Sequence, residues 1–283
     1  MTDIKKEEDK ALKFLYHTAS GRMLLKILSS RWVSRLCAAF LDSRFSKPLI
    51  GYFIRKNHIN ITEYICDNFK CFNDCFSRKI KQGLRPVDQS PENLISPCDG
   101  LLSVYPITDK TVLPVKQSHY TIDMLLKNQR LSSRYRNGIC LVLRLCVHHY
   151  HRYCYIDNGV KGKNFFISGK LHTVRPIALE SVPVFTQNCR EYTVMKTENF
   201  GRVTQVEVGA MLVGKIKNHH GSTAFVKGQE KGMFLYGGST IILLFEKDKI
   251  KLPQSFFDMT KQGKELPVKM GQKLGERLNS MSY

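Results

Sequence analysis

Leu141-Val142-Leu143-Arg144-Leu145-Cys146-Val147 is the best defined of a series of short, β-like apolar runs, and it leads into His148-His149-Tyr150-His151-Arg152-Tyr153-Cys154. Val203 to Val208 and Met211 to Ile216 alternate in part, and Asn164-Phe165-Phe166-Ile167, Tyr192-Thr193-Val194-Met195 and Gly232-Met233-Phe234-Leu235-Tyr236 add further runs. Thr240 to Phe245 closes the series. Such runs, punctuated by Asp157-Asn158-Gly159 and Gly237-Gly238, predict a mainly antiparallel β core, sandwich- or barrel-like, within an α+β fold. The stretch from Lys127 to Asn137 reads as a polar surface excursion, and the lysine-rich residues from Lys251 onward as helical or frayed. No internal repeat or low-complexity tract interrupts the chain.

The first sixty residues have a different texture. Leu24, Leu25, Ile27, Leu28, Val33, Leu36 and Phe40 recur near helical spacing, with Arg22, Lys26, Arg31 and Arg35 between them. From Lys10 to Lys56 there are ten Lys or Arg against one acid, Asp42. Basic amphipathic helices follow. Their apolar face, with Trp32 and Phe40, suits either packing on the rest of the protein or the interface of an anionic membrane. The whole chain of 283 residues carries 44 Lys+Arg against 24 Asp+Glu, a net charge of +20, which implies an anionic partner: nucleic acid or an acidic membrane. A hydrophobic share of 42% excludes a disordered or collagen-like chain. The longest apolar runs, Leu36 to Leu41 and Ile241 to Phe245, fall far short of the ~20 residues of a membrane span. Nine scattered cysteines without a framework, and an N-terminus without the pattern of a secretory signal, predict reduced thiols on the cytoplasmic side.

Three local features could carry chemistry. Gly237-Gly238-Ser239-Thr240 is either a hairpin turn, or a place where residues without side chains let a hydroxyl approach a backbone carbonyl. Ser96-Pro97-Cys98-Asp99-Gly100 holds an aspartate in a turn. The histidine cluster, if it continues the strand, puts His149 and His151 on one face and His148 on the other, with no third ligand signalled for a metal. An Asp, a His and a Ser spaced across a β core are the ingredients of an activated serine.

In this company the chain resembles the phosphatidylserine decarboxylases, specifically their clostridial-type bacterial branch. The matching residues are Phe72-Asn73-Asp74-Cys75-Phe76-Ser77-Arg78, Arg85-Pro86, Ser96-Pro97-Cys98-Asp99-Gly100, Tyr150-His151-Arg152, and Gly-Lys-Leu-His-Thr-Val-Arg-Pro at 169–176. They continue through Asn188-Cys189-Arg190-Glu191, Val206 to Ile216, Lys231-Gly232-Met233-Phe234 and Gly237-Gly238-Ser239-Thr240. The match runs in order over residues 69 to 250.

The resemblance implies a proenzyme that cuts itself between Gly238 and Ser239, into a β chain 1–238 and an α chain 239–283. His151, oriented and made more basic by Asp99, would take the Ser239 proton, and Ser239 would end as a pyruvoyl group. That group would form a Schiff base with the serine amine of phosphatidylserine, release carbon dioxide and leave phosphatidylethanolamine. It would be the only cofactor, with no metal. Many family members carry Asp-Tyr-His-Arg-x-His, whereas this chain has Cys154 at the second histidine position. His149, Cys154 and His172 are therefore auxiliary candidates for a proton-transfer role.

Residues 1–65 are expected to form the helical, membrane-associating segment and 66–283 the catalytic domain. The protein would sit peripherally on the cytoplasmic side of the cell membrane, with an anionic membrane surface and not nucleic acid as its partner, and the family suggests a homodimer. The competing readings are a serine hydrolase, for which no nucleophile elbow is present, a non-enzymatic basic membrane or nucleic-acid module, and a family member inactivated by the change to Cys154.

Overall fold

The run from Ile241 to Phe245 is apolar at every position because both faces of its strand are covered: each of these side chains is buried. The computed structural model describes residues 10, 12–66, 68–108, 112–115, 118–173, 178, 184–210, 215–235, 237 and 239–278. Its main sheet has eight strands: β1 (Gly100–Pro106), β2 (Ile139–Leu145), β3 (Gly159–Ile167), β4 (Arg190–Thr197), β5 (Arg202–Val208), β6 (Thr223–Phe225), β7 (Ser239–Phe245) and β8 (Leu266–Val268). They lie in the order β6-β3-β4-β5-β7-β2-β1-β8, each neighbouring pair antiparallel.

Strand parity divides the core in two. Ile241, Leu243 and Phe245 face one layer with Leu141, Leu143, Leu145 and Val203, while Ile242 and Leu244 face the other with Cys140, Val142, Val206 and Val208. Each large apolar side chain removed from water contributes about 1.5–3 kcal/mol, so a one-residue slip of β7 is strongly disfavoured. The first layer is closed by two small antiparallel sheets. One holds Ile216–Asn218, Glu230–Phe234 and Arg152–Cys154, and the other Ile250–Lys251, Lys273–Arg277 and Asn93–Ile95. Tyr153 and Phe234 from one, and Leu94 and Leu274 from the other, join the same core, which gives the sandwich-like α+β arrangement. The second layer is closed by the helix Ile122–Leu126, the turn Val184–Gln187, and Tyr16 and Leu25 from the N-terminal region.

Residues 12–17 are helical, and after them come α1 (Ala19–Leu28), α2 (Arg31–Leu41) and α3 (Leu49–Lys56). Thr18 Oγ1 caps α1 by accepting from Gly21 N, and Ser30 Oγ caps α2 by accepting from Val33 N. Leu41, Ile50 and Phe53 pack with Phe72, Phe76 and Tyr150. A short ladder, Tyr64–Ile65 against Lys79–Ile80, crosses the boundary expected at residues 65/66.

Several local expectations are corrected. The excursion from Lys127 to Asn137 contains two helical turns, Gln129–Ser132 and Ser133–Tyr135, and buries Tyr135, whose hydroxyl lies 2.5 Å from Thr204 Oγ1. Beyond Lys251 the chain forms a helix, Gln254–Lys261, but also β8 and the strand Lys273–Arg277, because alternate residues there find a core. Gly237-Gly238 is no hairpin, since the strands on either side of it belong to different sheets. Most of the run expected from Met211 to Ile216 lies outside the described residues.

Candidate active site

Three strand ends meet at one end of the main sheet. β7 begins at Ser239 opposite Leu145, the last residue of β2, and Arg144 stands opposite Leu101 at the start of β1. Ser239, the turn after Leu145 and Asp99 just before β1 therefore share that end. The strand Glu230–Phe234 reaches the same place, where Phe234 N donates to His151 O at 2.9 Å. Gly237 then crosses between the sheets with φ of +121°, a conformation that favours glycine. Gly238, on the acyl side of the expected cut, lies outside the described residues.

Ser239 and Thr240 are buried, and neither hydroxyl has a hydrogen-bond partner among the described residues. An unpaired buried hydroxyl costs about 1–3 kcal/mol, so two in succession at a strand end mark a place where the fold gives up stability.

The strand expected to run through the histidines ends at Leu145, and Cys146–Tyr150 turns instead. His149 N donates to Cys146 O at 2.9 Å, and Cys146 N donates to His149 Nδ1 at 3.0 Å. These two bonds close the turn and remove the alternation that would have put His149 and His151 on one face. His149 thereby uses Nδ1 as an acceptor. His151 is the opposite tautomer: its Nδ1 bonds the His149 carbonyl at 2.9 Å, and a carbonyl can only accept. Nε2 of His151 therefore carries the lone pair, and it is buried without a partner among the described residues. The ring is wholly buried, with Phe76 at 4.1 Å between centroids. Burial, followed by the Arg78 charge, holds its pKa well below the ordinary histidine value, so it is neutral.

Asp99 does not hold His151. Arg85 Nε donates to Oδ1 at 2.9 Å, Arg85 Nη2 to Oδ2 at 2.7 Å, and Met270 N to Oδ1 at 2.9 Å. These donors occupy the carboxylate, and the group on His151 Nδ1 is the His149 carbonyl. The Asp99 charge does act on His149, raising its pKa against burial and the neighbouring His148, but burial prevails and His149 stands at about 4.

The other auxiliary candidates make no described hydrogen bond to Ser239 or His151. Cys154 N donates to Pro97 O at 2.9 Å, next to the Asp99 turn, but its side chain is sunk in the apolar core and burial pushes the thiol up to about 12. His172 contacts Tyr16, whose hydroxyl lies 3.4 Å from Nδ1. Asn188 clasps the His172 backbone through bonds of 2.9 and 2.8 Å and donates to Gly209 O at 2.7 Å. No described hydrogen bond joins His172 to Ser239 or His151. No cluster of three or more His, Cys, Asp or Glu suited to a metal is present among the described residues.

Sequence reasoning quoted Arg78, Arg85, Glu207 and Lys231 within motifs but gave them no role. Arg78 is buried, covers the Tyr64 ring at 4.3 Å, and donates from Nη2 to the His148 and His149 carbonyls at 2.9 and 3.2 Å. Lys231 and Glu207 form a fully buried ion pair of 2.6 Å that ties the small sheet to β5, and Lys231 also donates to Asn218 Oδ1 at 2.6 Å. The one available signal was a charged residue inside an apolar motif, as in Cys75-Phe76-Ser77-Arg78.

Comparison with known proteins agrees with this arrangement of motifs. The family model described as phosphatidylserine decarboxylase matches residues 72–276. Phosphatidylserine decarboxylase proenzyme 2 of Clostridium acetobutylicum is 46% identical over 273 residues, covering 96% of this chain and 94% of that protein. Phosphatidylserine decarboxylase proenzymes of Clostridium botulinum strain Hall and Clostridium novyi are 39% and 40% identical, each covering at least 94% of this chain and 92% of the relative.

Proposed function

The chain belongs to the phosphatidylserine decarboxylase family, and we propose that it is a proenzyme which cuts itself between Gly238 and Ser239, then converts phosphatidylserine to phosphatidylethanolamine and carbon dioxide. Two unpartnered buried atoms at one end of the main sheet carry this assignment: Ser239 Oγ and His151 Nε2. His151 enters the reaction neutral, held in the Nδ1–H tautomer, so Nε2 is free to take the hydroxyl proton. The Ser239 oxygen then bonds to the Gly238 carbonyl carbon as the Gly238–Ser239 C–N bond breaks, and the nitrogen takes up a proton to become the new amine. Loss of the Gly238 carboxylate by β-elimination, followed by hydrolysis with release of ammonia, converts residue 239 into a pyruvoyl group.

The pyruvoyl group supplies an electron sink for the departing carboxylate of the substrate. A buried position at the head of a central strand fits it, because the hydroxyl that residue 239 loses, along with its backbone nitrogen, has no partner among the described residues. His151 is then the group that returns a proton to the product. Asp99 acts through Arg85 and the Met270 backbone, holding the segments that frame this end of the sheet. Cys154 does not serve as the base, because burial keeps its thiol protonated.

Among the described residues no helix is long and apolar enough to cross a membrane. Among the described residues, ten of the eighteen exposed large hydrophobic side chains fall between Phe14 and Tyr52, among the basic residues of the helical segment. That combination supports peripheral binding of residues 1–65 to an anionic bilayer on its cytoplasmic side, where phosphatidylserine is the substrate. The working unit is a homodimer on the family's pattern, to be checked by sedimentation.

Intact masses of the purified wild type and Ser239→Ala under denaturing conditions test the self-cleavage. The wild type should give two chains, 1–238 and a small chain 239–283 blocked at its N-terminus, and the variant one whole chain. An uncut wild-type chain overturns the proposal.

A further inference from the structure

Arg78 presents a physical puzzle. Its guanidinium is buried, with side-chain donors that all go to backbone carbonyls: Cys75 and Phe76 at 3.4 Å from Nη1, and His148 and His149 at 2.9 and 3.2 Å from Nη2. Nε has no partner, and no carboxylate forms an ion pair with it among the described residues. Burying a cation without a counter-charge costs several kcal/mol, and the aromatic face of Tyr64 returns only a fraction of that. A methionine or leucine would fill the same space at lower cost if packing were all that the position required.

The geometry next to it supplies a reason. The His149 carbonyl accepts from Arg78 Nη2 and from His151 Nδ1 at once, at 3.2 and 2.9 Å. We propose that Arg78 is a positioning residue: by fixing the His149 carbonyl it fixes the ring and tautomer of His151, the base for Ser239. This rests on the assignment of His151 as the base in self-cleavage. A carbonyl held by a cation thus stands where a carboxylate would orient the histidine of an ordinary triad. The two devices have opposite electrostatic effects. A carboxylate stabilises the protonated ring, whereas Arg78 opposes protonation. The titratable groups acting on the His151 ring are Arg78, from the segment after the helix Phe72–Phe76, and His149 and His148, from its own turn, and all three oppose protonation. Phe76, the ring packed against it, carries no charge.

The consequence is read in the pH dependence of cleavage. The base works only when unprotonated, so wild-type cleavage should be flat through neutral pH and fall only in acid. Arg78→Met removes both charge and bonds: the acid limb should move up by about one pH unit. Its plateau rate should fall about 10- to 100-fold, less than the whole contribution of a general base. Arg78→Lys keeps the charge without the fork, so its plateau should fall while the acid limb stays in place. Cleavage is followed by intact mass after pH jumps of the full-length precursor, with the fold of each variant checked by circular dichroism. Equal rates and coincident acid limbs for all three proteins overturn the proposal.

A measurement that needs no Arg78 variant guards against misfolding. In full-length Ser239→Ala, nitrogen NMR should find His151 as the Nδ1–H tautomer, still neutral where an ordinary histidine is already protonated. Protonation near the ordinary histidine value, or the other tautomer, overturns the proposal independently. Normal cleavage by His151→Asn would instead sink the assignment of the base itself, so the two failures are distinguishable.

Discussion

Arg85 grips Asp99 side-on, with Nε on Oδ1 at 2.9 Å and Nη2 on Oδ2 at 2.7 Å. Less than a tenth of either side chain is exposed, and Glu63 stands 3.7 Å from Arg85 Nη1 on the outer side. Asp99 also accepts from Met270 N, so one carboxylate joins the segment before β1 to the C-terminal part of the chain. Removing one partner of such a pair leaves a buried charge unmatched and typically costs about 3–5 kcal/mol. Arg85→Met in the uncut Ser239→Ala protein should lower the unfolding free energy by about 3 kcal/mol in a urea titration. A loss below about 1 kcal/mol would show that the pair is solvated and contributes as little as a surface bridge does.

Cleavage at Gly238–Ser239 should leave the two chains together. β7 is registered against β5 from Val203 to Val208 and against β2 from Ile139 to Leu145, so the severed strand stays in the middle of the sheet. β8 and Lys273–Arg277, also in the small chain, pair with β1 and with Asn93–Ile95 of the large one. The described cysteines are free, so these ladders and the core hold the pair without a covalent link. Native mass spectrometry should show one species containing both chains, and denaturing electrophoresis without reductant should show two bands. Separation under native conditions would contradict the register of β7.

Cys154 occupies the position where relatives in the resemblance carry a histidine, yet burial holds its thiol at about 12. Only the thiolate is nucleophilic or basic enough to act as nucleophile or base, so near neutral pH the side chain fills neither role. Cys154→Ala should cut itself within about threefold of the wild-type rate, while losing about 1 kcal/mol of stability to the small cavity. Mapping of iodoacetamide adducts on the native protein should find Cys154 unmodified. Loss of cleavage in the variant, with its fold intact, would return the residue to the machinery.

Stability should fall in mild acid, and the histidines set the sign. His148 and His151 have pKa values below the unfolded value of 6.5, and His149 and His172 are at about 4, each chiefly through burial. A depressed folded value means that the unfolded chain binds more protons. The neutral-state stability is therefore present above pH 6.5 and lost as pH falls toward 4. His149 and His172 should each contribute on the order of 1–2 kcal/mol to the loss by pH 5. Thermal unfolding of Ser239→Ala at pH 7.5 and pH 5 checks this, and an unchanged midpoint would mean that the turn opens to solvent.

What could be read in advance follows the range of each interaction. β7 showed in the sequence because burial on both faces writes itself as the unbroken apolar run Ile241–Phe245, and β5 showed through the partial alternation of Val203–Val208. The site could be collected from ordered motifs, but its wiring could not. Arg78 reaches carbonyls seventy residues away, and a backbone acceptor leaves no trace in residue type. The Asp99 partner is an arginine fourteen residues earlier, which only the folded loop brings round. The histidine strand failed for a local reason: a side chain, His149 Nδ1, took the Cys146 N–H that a ladder would have used. Tyr135 was hidden because a single buried aromatic in a polar stretch looks like chance.

Trp32, the only tryptophan of the chain, is 70% exposed at the start of α2. Met23 and Phe45 are exposed at 72% and 76%, although the cores available to α1, α2 and α3 already hold Leu25, Leu41, Ile50 and Phe53. The helical segment thus has an inner apolar set that packs and an outer set that does not, the latter near Arg22, Lys26, Arg35 and Arg44 in the sequence. Packing explains the first set only. Insertion of the second into a bilayer should shift Trp32 fluorescence to shorter wavelength on addition of vesicles containing phosphatidylserine. Neutral phosphatidylcholine vesicles should give a much smaller shift, and raised salt should weaken the first, because each basic residue near the surface contributes about 1 kcal/mol that ions screen. Replacing Met23, Trp32 and Phe45 together by serine should release the protein from vesicles in flotation, yet leave self-cleavage intact, since none of the three enters a described core. Unchanged flotation of the triple variant would move the membrane contact elsewhere on the basic surface.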